Sequence, residues 1–396
     1  MIGTGHIPDA LRDCSLLVVD DDAFQRGLIG ALLRSAGFHR IAYAEDGRKA
    51  LEMTEAHAPD LVLLDLLMPE FDGFDTCRAL RGDPRWAELP VLAMTALEER
   101  DERARIFAAG ATDLILKPIH KAELMARIAT HLNTRLLVRG LREANERTGA
   151  ELAAARRMQA SLLPGAALLE QIEHRYGVSV AARYAPCTEL AGDLWGAWLI
   201  DESRFGLFAL DVIGHGTIAA INAFRIHTLL QQQTERSRPG CLLENLNRAL
   251  CPLFPTGQFS TFFYAVFDTT ANQLAYAAAG YPNPLLGDDS AERVLDGKGL
   301  PLGIRPSARY ETRIAAWAPG TSLLIYSDAV SETRDASGVM LGQDGVRRLW
   351  AQARATRGAD HARATRGADD VVAELEMAVM GSAGLDDDLT LICVTR

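Results

Sequence analysis

Leu61 to Gly73 reads LVLLDLLMPEFDG. An apolar run ends on a carboxylate, Asp65, and a Met-Pro and an Asp-Gly follow it within eight residues. Such a run, closed by turn residues, predicts a buried parallel strand with an acid at its carboxyl end. Open α/β sheets place their chemistry at that edge. A plainer reading has Asp65 merely starting a turn, and the surrounding sequence decides between the two.

Upstream, Leu16 to Asp22 reads LLVVDDD, a second apolar strand ending in acids. A helical pattern follows, with Leu28, Ile29, Leu32 and Leu33 on one face and Gly37 at its end. Short strands are predicted at Ile41–Ala44, Leu61–Leu64, Val91–Met94 and Leu114–Leu116, with helices between them and a last helix from Lys121 to Leu132. This alternation predicts a doubly wound α/β domain over residues 11–132, with five parallel strands covered on both faces. The strand ends supply Asp20 and Asp21, then Asp65, then Thr95, then Lys117. On one parallel sheet they converge on one edge. Three carboxylates beside a hydroxyl and an ammonium call for a hard, oxygen-seeking cation such as Mg2+. A carboxylate beside that ion is a competent nucleophile toward phosphorus. Lys117 can hold a phosphoryl oxygen and Thr95 can donate to another.

The acid pair, the Asp-x-x-Met-Pro segment, the Thr-Ala and the Lys-Pro, in that order, resemble the receiver domain of two-component response regulators. The resemblance implies that Asp65 is the phosphoacceptor. It implies Mg2+ held by Asp21, Asp65 and the backbone carbonyl of Leu67, with Asp20 as a candidate outer ligand through water. It also implies a cis Lys117–Pro118 bond, and a histidine kinase or phosphotransfer protein as the phosphate donor. One position departs from the pattern. Leu114 stands where the family commonly carries an aromatic switch residue, so the signal is expected to pass through helix or dimer rearrangement.

Residues 133–165 read as a helical linker. Asn133 to Leu163 is charged, free of proline and interrupted only by Gly140 and Gly149; Pro164 and Gly165 end it. Leu137, Leu141, Ala144 and Thr148, then Leu152, Ala155, Gln159 and Leu162 after a one-step slip, trace a narrow seam. A short coiled coil and a homodimer are expected from it. A monomeric helix packed along a neighbouring domain is the other reading.

From residue 166 onward the pattern changes to long strands grouped around helices, which predicts an α+β layered β-sandwich over 166–396. Strands are expected at 178–184, 194–200, 205–212, 261–268, 273–279, 322–326 and 389–394, and helices near 217–234, 240–252 and 369–381. Acids again mark strand ends: Asp193, Asp211, Asp328, and Asp386, Asp387 and Asp388 together. An unpaired carboxylate beside an apolar strand is unfavourable. Assembled, such acids could hold two metal ions ~4 Å apart, an arrangement suited to phosphate-ester hydrolysis.

RRMQASLLP at 156–164, AGD at 191–193, DVIGHG at 211–216, AGYPNPLL at 279–286, GLPLG at 299–303, YSDAVSE at 326–332 and DDLT at 387–390 resemble the SpoIIE/RsbU-type branch of the metal-dependent Ser/Thr protein phosphatases. The resemblance implies two Mn2+ or Mg2+ ions. Asp193 and Asp211 match the bridging pair, the Val212 carbonyl the backbone ligand, and Asp328 and Asp387 the acids completing one sphere. Asp386 and Asp388 match no ligand and read as supporting or turn residues. All matched ligand positions keep their acids, which implies an active copy. Three departures stand out: Ala191 in place of a glycine, Gly196 in place of an acid, and Thr188 where animal relatives grip phosphate with arginine. His215 is a candidate general acid, although it lies four residues after Asp211 rather than two; a turn residue is the plainer reading. His227, on a helix with Ile226 and Leu229, reads as structural.

The bulk numbers bound the rest. With 396 residues the chain suits two or three domains. Hydrophobic residues make up 48% and charged ones 23%, as in ordinary globular proteins. A net charge of -11 argues against nucleic acid or an anionic membrane as a partner, and no helix-turn-helix or basic stripe is evident. Cys14, Cys77, Cys187, Cys241, Cys251 and Cys393 form no Cys-x-x-Cys pair and read as free thiols of a reducing cytoplasm. No apolar run approaches the ~20 residues of a membrane span. ARATRGAD occurs at 353–360 and again at 362–369, which reads as a tandem duplication in a loop or helix end.

The resemblances together imply a response regulator whose phosphorylation controls a Ser/Thr phosphatase, acting on an anti-sigma-factor antagonist of the STAS type. The alternative is a non-catalytic adaptor that binds a sigma factor or anti-sigma component and controls its degradation or availability. Retention of the acids argues against the adaptor.

Overall fold

The structure is a computed structural model and describes residues 7–96, 100–288, 291–334, 338–355, 368–380 and 387–396. It divides into two units, Met1–Thr148 and Gly149–Arg396.

The first unit contains α1 (Asp9–Arg12), β1 (Ser15–Val19), α2 (Ala23–Ser35), β2 (Arg40–Ala44), α3 (Gly47–His57), β3 (Leu61–Asp65), α4 (Gly73–Gly82), β4 (Val91–Thr95), α5 (Arg100–Ala108), β5 (Asp113–Leu116) and the start of α6 (Lys121–Ala160). The sheet is parallel, in the order β2-β1-β3-β4-β5. Every residue of β1, β3 and β4 is buried, so their apolar runs are continuous rather than alternating. Successive side chains still divide between two cores. Leu16, Val18, Leu61, Leu63, Leu92 and Met94 meet Ile29 and Leu33 of α2 and Leu124, Ile128 and Leu132 of α6. Leu17, Val19, Val62, Leu64, Val91 and Ala93 meet Ala50 of α3, Cys77 and Leu80 of α4 and Ile106 of α5. Asp22, Asp46 and Asp72 cap α2, α3 and α4 by accepting backbone N–H bonds, each worth about 1 kcal/mol.

α6 differs from expectation. A receiver helix ending at Leu132 and a separate linker helix were anticipated; one helix of 40 residues runs through both. No proline interrupts it, and Gly140 and Gly149 cost only about 1 kcal/mol each. Within the first unit its residues Arg127 and His131 bond Asp113, and Arg142, near mid-helix, pairs with Glu88. Leu137 and Leu141 of the anticipated seam are 66% and 70% exposed. Gln159 does not continue that seam: it is buried within the second unit.

The second unit contains α7 (Ala166–Tyr176), β6 (Ser179–Ala185), β7 (Leu194–Leu199), β8 (Arg204–Val212), α8 (Thr217–Gln231), α9 (Pro239–Leu250), β9 (Ser260–Asp268), β10 (Gln273–Ala279), β11 (Leu285–Gly287), β12 (Glu292–Val294), β13 (Arg313–Ala316), β14 (Ser322–Tyr326), α10 (Asp328–Glu332), α11 (Gly342–Ala355), α12 (Ala368–Met380) and β15 (Leu389–Thr395). Two antiparallel sheets form, β13-β10-β9-β8-β7 and β12-β11-β14-β15-β6. Trp195, Phe205, Leu207, Phe263 and Phe267 from the first meet Leu323, Ile325 and Ile392 from the second. Phe205 stacks on Phe267 at 4.5 Å, and Trp317 closes edge-on at 4.8 Å from Phe267; such pairs add about 0.5–1.5 kcal/mol each beyond area burial. The outer faces carry helices. α8 and α9 pack on Phe208, Leu210 and Phe262 through Ile226, Leu242 and Leu246. α11 and α12 pack on Leu324, Tyr326 and Leu391 through Val346, Trp350, Val372 and Leu375. The result is a layered β-sandwich between helices. α7, α10, α11, β11, β12 and β13 were not anticipated. Most of the ARATRGAD duplication, 356–367, lies outside the described residues, as does Asp386.

Candidate functional site

In the first unit the strand order reverses between β1 and β3, where doubly wound sheets form their binding crevice. Asp20 and Asp21 follow β1 and Asp65 ends β3, and their carboxylate oxygens lie within 4.8 Å of one another. Lys117 Nζ donates to Asp65 Oδ2 at 2.7 Å and to Asp20 Oδ2 at 3.1 Å. Burial pushes the Asp20 carboxyl up, although Lys117 and the Asp22 amide pull it down. Asp20 and Thr95 are fully buried, whereas Asp21 is exposed. The Leu67 amide donates to Asp65 Oδ1 at 3.3 Å, so the loop after β3 wraps the acid. Gly73 is required there, because a Cβ would collide with the Asp65 carbonyl and Leu66. The Lys117–Pro118 bond is cis, as the resemblance implied. Leu114 is buried on β5. The pocket is preformed, with one exposed and two buried carboxylates of the kind a hard cation takes.

The second site lies at the ends of the sandwich strands. Asp193 immediately precedes β7, Asp211 is near the end of β8 opposite Thr261, Asp328 opens α10 after β14, and Asp387 precedes β15. Burial and then Asp211 push the Asp193 carboxyl well up, against a hydrogen bond from Thr390. Burial, Asp328 and Asp387 push Asp211 up to about 8. Burial, Asp387 and Glu332 raise Asp328. These acids therefore share one electrostatic environment. The Tyr281 hydroxyl, in the field of Asp193, Asp211 and Asp328, is buried without a hydrogen-bond partner among the described residues. A set of carboxylates that resist ionisation, beside an orphaned hydroxyl, fits divalent cations with oxygen ligands.

A buried polar network ties the segments together. Thr390 Oγ1 donates to Asp193 Oδ2 at 2.6 Å. Ser327 Oγ donates to the Asp388 carbonyl and accepts from the Thr390 amide, both at 2.9 Å. Asp388 Oδ1 accepts from the Cys187 amide at 2.8 Å and Oδ2 from Gly192 at 2.6 Å. Asp388 is thus a loop clamp, consistent with its reading as a supporting residue. Its carboxylate, that of Asp387 and the Cys187 thiol lie within 4.8 Å of one another, and burial followed by Asp388 pushes the thiol up to about 12. His215 is exposed in the loop between Gly214 and Gly216, both at positive φ. His227 is half-buried on α8, and burial lowers its pKa. Thr188 donates to the Leu190 carbonyl. Gln159, Ser327, Thr390, Tyr281 and Glu332 were not singled out as site residues; uncharged polar residues and a helical Glu carry no strand-end signal.

The folds and sites define a phosphoacceptor-type α/β domain followed by an acid-lined sandwich. The response regulator receiver domain model matches residues 16–129, and the stage II sporulation protein E (SpoIIE) model matches residues 201–396. The chain therefore joins a response regulator receiver domain to a SpoIIE-family domain. Asp193 precedes the matched span. The response regulator PleD of Caulobacter vibrioides is 36% identical over 170 residues, covering 42% of this chain and 37% of that protein. The phosphoserine phosphatase RsbP of Bacillus subtilis is 30% identical over 191 residues, covering 47% of this chain and 46% of RsbP. The chain thus spans less than half the length of these two relatives. The solved SiaA-PP2C domain of Pseudomonas aeruginosa superposes with a TM-score of 0.52 at 19% identity, covering 64% of this chain and 98% of that domain, a likeness of fold. No helix among the described residues is long and apolar enough to cross a membrane.

Proposed function

We propose that the protein is a metal-dependent Ser/Thr phosphoprotein phosphatase controlled by phosphorylation of Asp65. The observation that carries this reading is the group of Asp193, Asp211 and Asp328, of which Asp193 is fully buried, raised together in pKa and retained with Asp387, in a chain whose first unit carries the preformed pocket of Asp20, Asp21 and Asp65.

In the first unit Asp65 attacks the phosphorus of a donor, a histidine kinase or a phosphotransfer protein. An oxygen–phosphorus bond forms as the donor's bond to phosphorus breaks. Lys117 holds one phosphoryl oxygen and Thr95 another; Asp21, Asp65 and the Leu67 carbonyl would hold Mg2+, with Asp20 as a candidate outer ligand through water. In the second unit Asp193, Asp211, the Val212 carbonyl, Asp328 and Asp387 would hold two Mn2+ or Mg2+ ions. Those ions, when bound, supply Lewis acidity toward water and the phosphate ester. Thr390 holds one Asp193 oxygen in place, and Asp388 keeps Gly192 and Cys187 together. His215 remains the candidate proton donor to the leaving serine or threonine oxygen.

Residues 11–132, 133–165 and 166–396 serve as input, connector and output. An added phosphoryl charge biases a two-state element, which the connector carries to the output. Exposed Leu137 and Leu141 support a homodimer through this helix. The RsbP likeness favours a phosphoserine protein as substrate, and the SpoIIE/RsbU-type resemblance an anti-sigma-factor antagonist of the STAS type, in a cytoplasmic partner-switching pathway.

The test is Mn2+-dependent hydrolysis of p-nitrophenyl phosphate by the purified protein and by Asp211→Asn. Activity in the first and its loss in the second support the reading. No metal-dependent activity with Asp65 free or phosphorylated would favour the adaptor.

A further inference from the structure

We infer that Gln159 is a positioning residue through which α6 sets the metal-ligand segment Ala191–Asp193. The inference rests on the phosphatase reading above and assigns how its site is adjusted.

Gln159 lies in the last turn of α6 and is 2% exposed, while the adjacent Met158 is 63% exposed. A glutamine so buried on an otherwise open helix end needs partners for both halves of its amide. Both come from one residue. Gln159 Nε2 donates to the Ala191 carbonyl at 2.7 Å, and the Ala191 amide donates to Gln159 Oε1 at 3.1 Å. The side chain pairs with that peptide backbone as a neighbouring strand would. Ala191 is itself fully buried, so water offers no substitute partner.

Ala191 is followed by Gly192 and the predicted bridging ligand Asp193, and the three are held from two places, the start of β15 and α6. Gly192 is held by Asp388 and Asp193 by Thr390, leaving Ala191 to α6. Gly192 also abuts the second ligand segment: a Cβ there would lie 2.9 Å from the Val212 carbonyl and 3.1 Å from that of Gly214. Moving Ala191 therefore moves Asp193 and presses on the Val212 carbonyl, both predicted metal ligands. A helix shift of about 1–2 Å, ordinary for signalling rearrangements, is enough to break hydrogen bonds that require about 3.2 Å or less. The helix that carries Gln159 in its last turn is the one whose Arg127 and Arg142 bond the receiver residues Asp113 and Glu88.

The experiment uses the full chain as wild type, Gln159→Leu and Met158→Ala. Mn2+ binding is followed by electron paramagnetic resonance of the free ion, with Asp193→Asn marking the sites of the second unit. Hydrolysis of p-nitrophenyl phosphate is measured with and without acetyl phosphate. Gln159→Leu is expected to weaken Mn2+ binding at those sites about tenfold, the loss typical of stranding a buried backbone pair. It is also expected to bring the ratio of rates with and without acetyl phosphate to one. Met158→Ala should retain both wild-type properties. Unchanged Mn2+ affinity or an unchanged ratio in Gln159→Leu overturns the inference. Should that variant fail to fold, Gln159→Glu, which keeps the acceptor for the Ala191 amide and loses the donor, carries the same test. A wild type that binds Mn2+ without hydrolysing would sink the phosphatase reading, and the binding measurement alone then decides the role of Gln159.

Discussion

Thr390 Oγ1 donates to Asp193 Oδ2 at 2.6 Å, joining residues 197 positions apart in a fully buried contact. The bond fixes one oxygen of a predicted bridging carboxylate, leaving the other for a cation. Thr390→Val keeps the volume and removes the donor. The Mn2+ concentration for half-maximal hydrolysis should rise roughly tenfold, as expected for losing a hydrogen bond to a charged group. Thr390→Ser should stay near wild type. A metal titration of initial rates checks both.

The receiver pocket should take phosphate independently of the output site. Asp65→Asn should show no gain of a phosphoryl group by intact-mass spectrometry after treatment with acetyl phosphate and Mg2+, whereas Asp211→Asn should gain one. Lys117→Ala leaves buried Asp20 without its ammonium partner, and should destabilise the first unit by about 1–3 kcal/mol. Added Mg2+ should raise the melting temperature of this variant by more than it raises that of wild type, because a second cation source then replaces the first.

Much of this arrangement is legible in the chain because a carboxylate ending an apolar run is unfavourable without a partner. Asp20, Asp65 and Asp211 all carry that signature. Residues acting through backbone bonds leave no such trace. Gln159 falls in the helical spacing of Leu152, Ala155 and Leu162, yet bonds a backbone 32 positions away. In the Asp386-Asp387-Asp388 run only geometry distinguishes Asp388, which faces the Cys187 and Gly192 amides. The three-residue strands β11 and β12 are too short for periodicity to register. Nothing between Leu132 and Asn133 breaks a helix; the change there is in composition alone, and α6 passes through it.

Asp113 anchors α6 to β5 by accepting from Arg127 at 2.6 Å and from His131 at 3.0 Å. Burial alone would raise its carboxyl, but the bonds from His131 and Arg127 hold it below the usual range. A depressed native pKa contributes stability above the unfolded value of about 3.9, which is lost as pH falls through the native one. Asp113→Asn should therefore lower the stability of the first unit by about 1–2 kcal/mol at neutral pH. The difference from wild type should shrink below about pH 4, as urea melts across pH would show.

Leu137 and Leu141 are four residues apart on one exposed helix face. If that face joins two copies, replacing both with glutamate should convert a dimer to a monomer in sedimentation velocity, with the melting of each unit unchanged. A wild-type monomer would remove the dimer from the account.

The most direct measurement is the rate of Mn2+-dependent release of phosphate from a phosphoserine protein, with Asp65 free and phosphorylated, in wild type and Asp65→Asn. The account predicts metal-dependent hydrolysis in both proteins, a rate that changes on acetyl phosphate treatment in wild type, and no change in Asp65→Asn. Equal rates before and after phosphorylation of wild type, or no metal-dependent hydrolysis in either state, would contradict it.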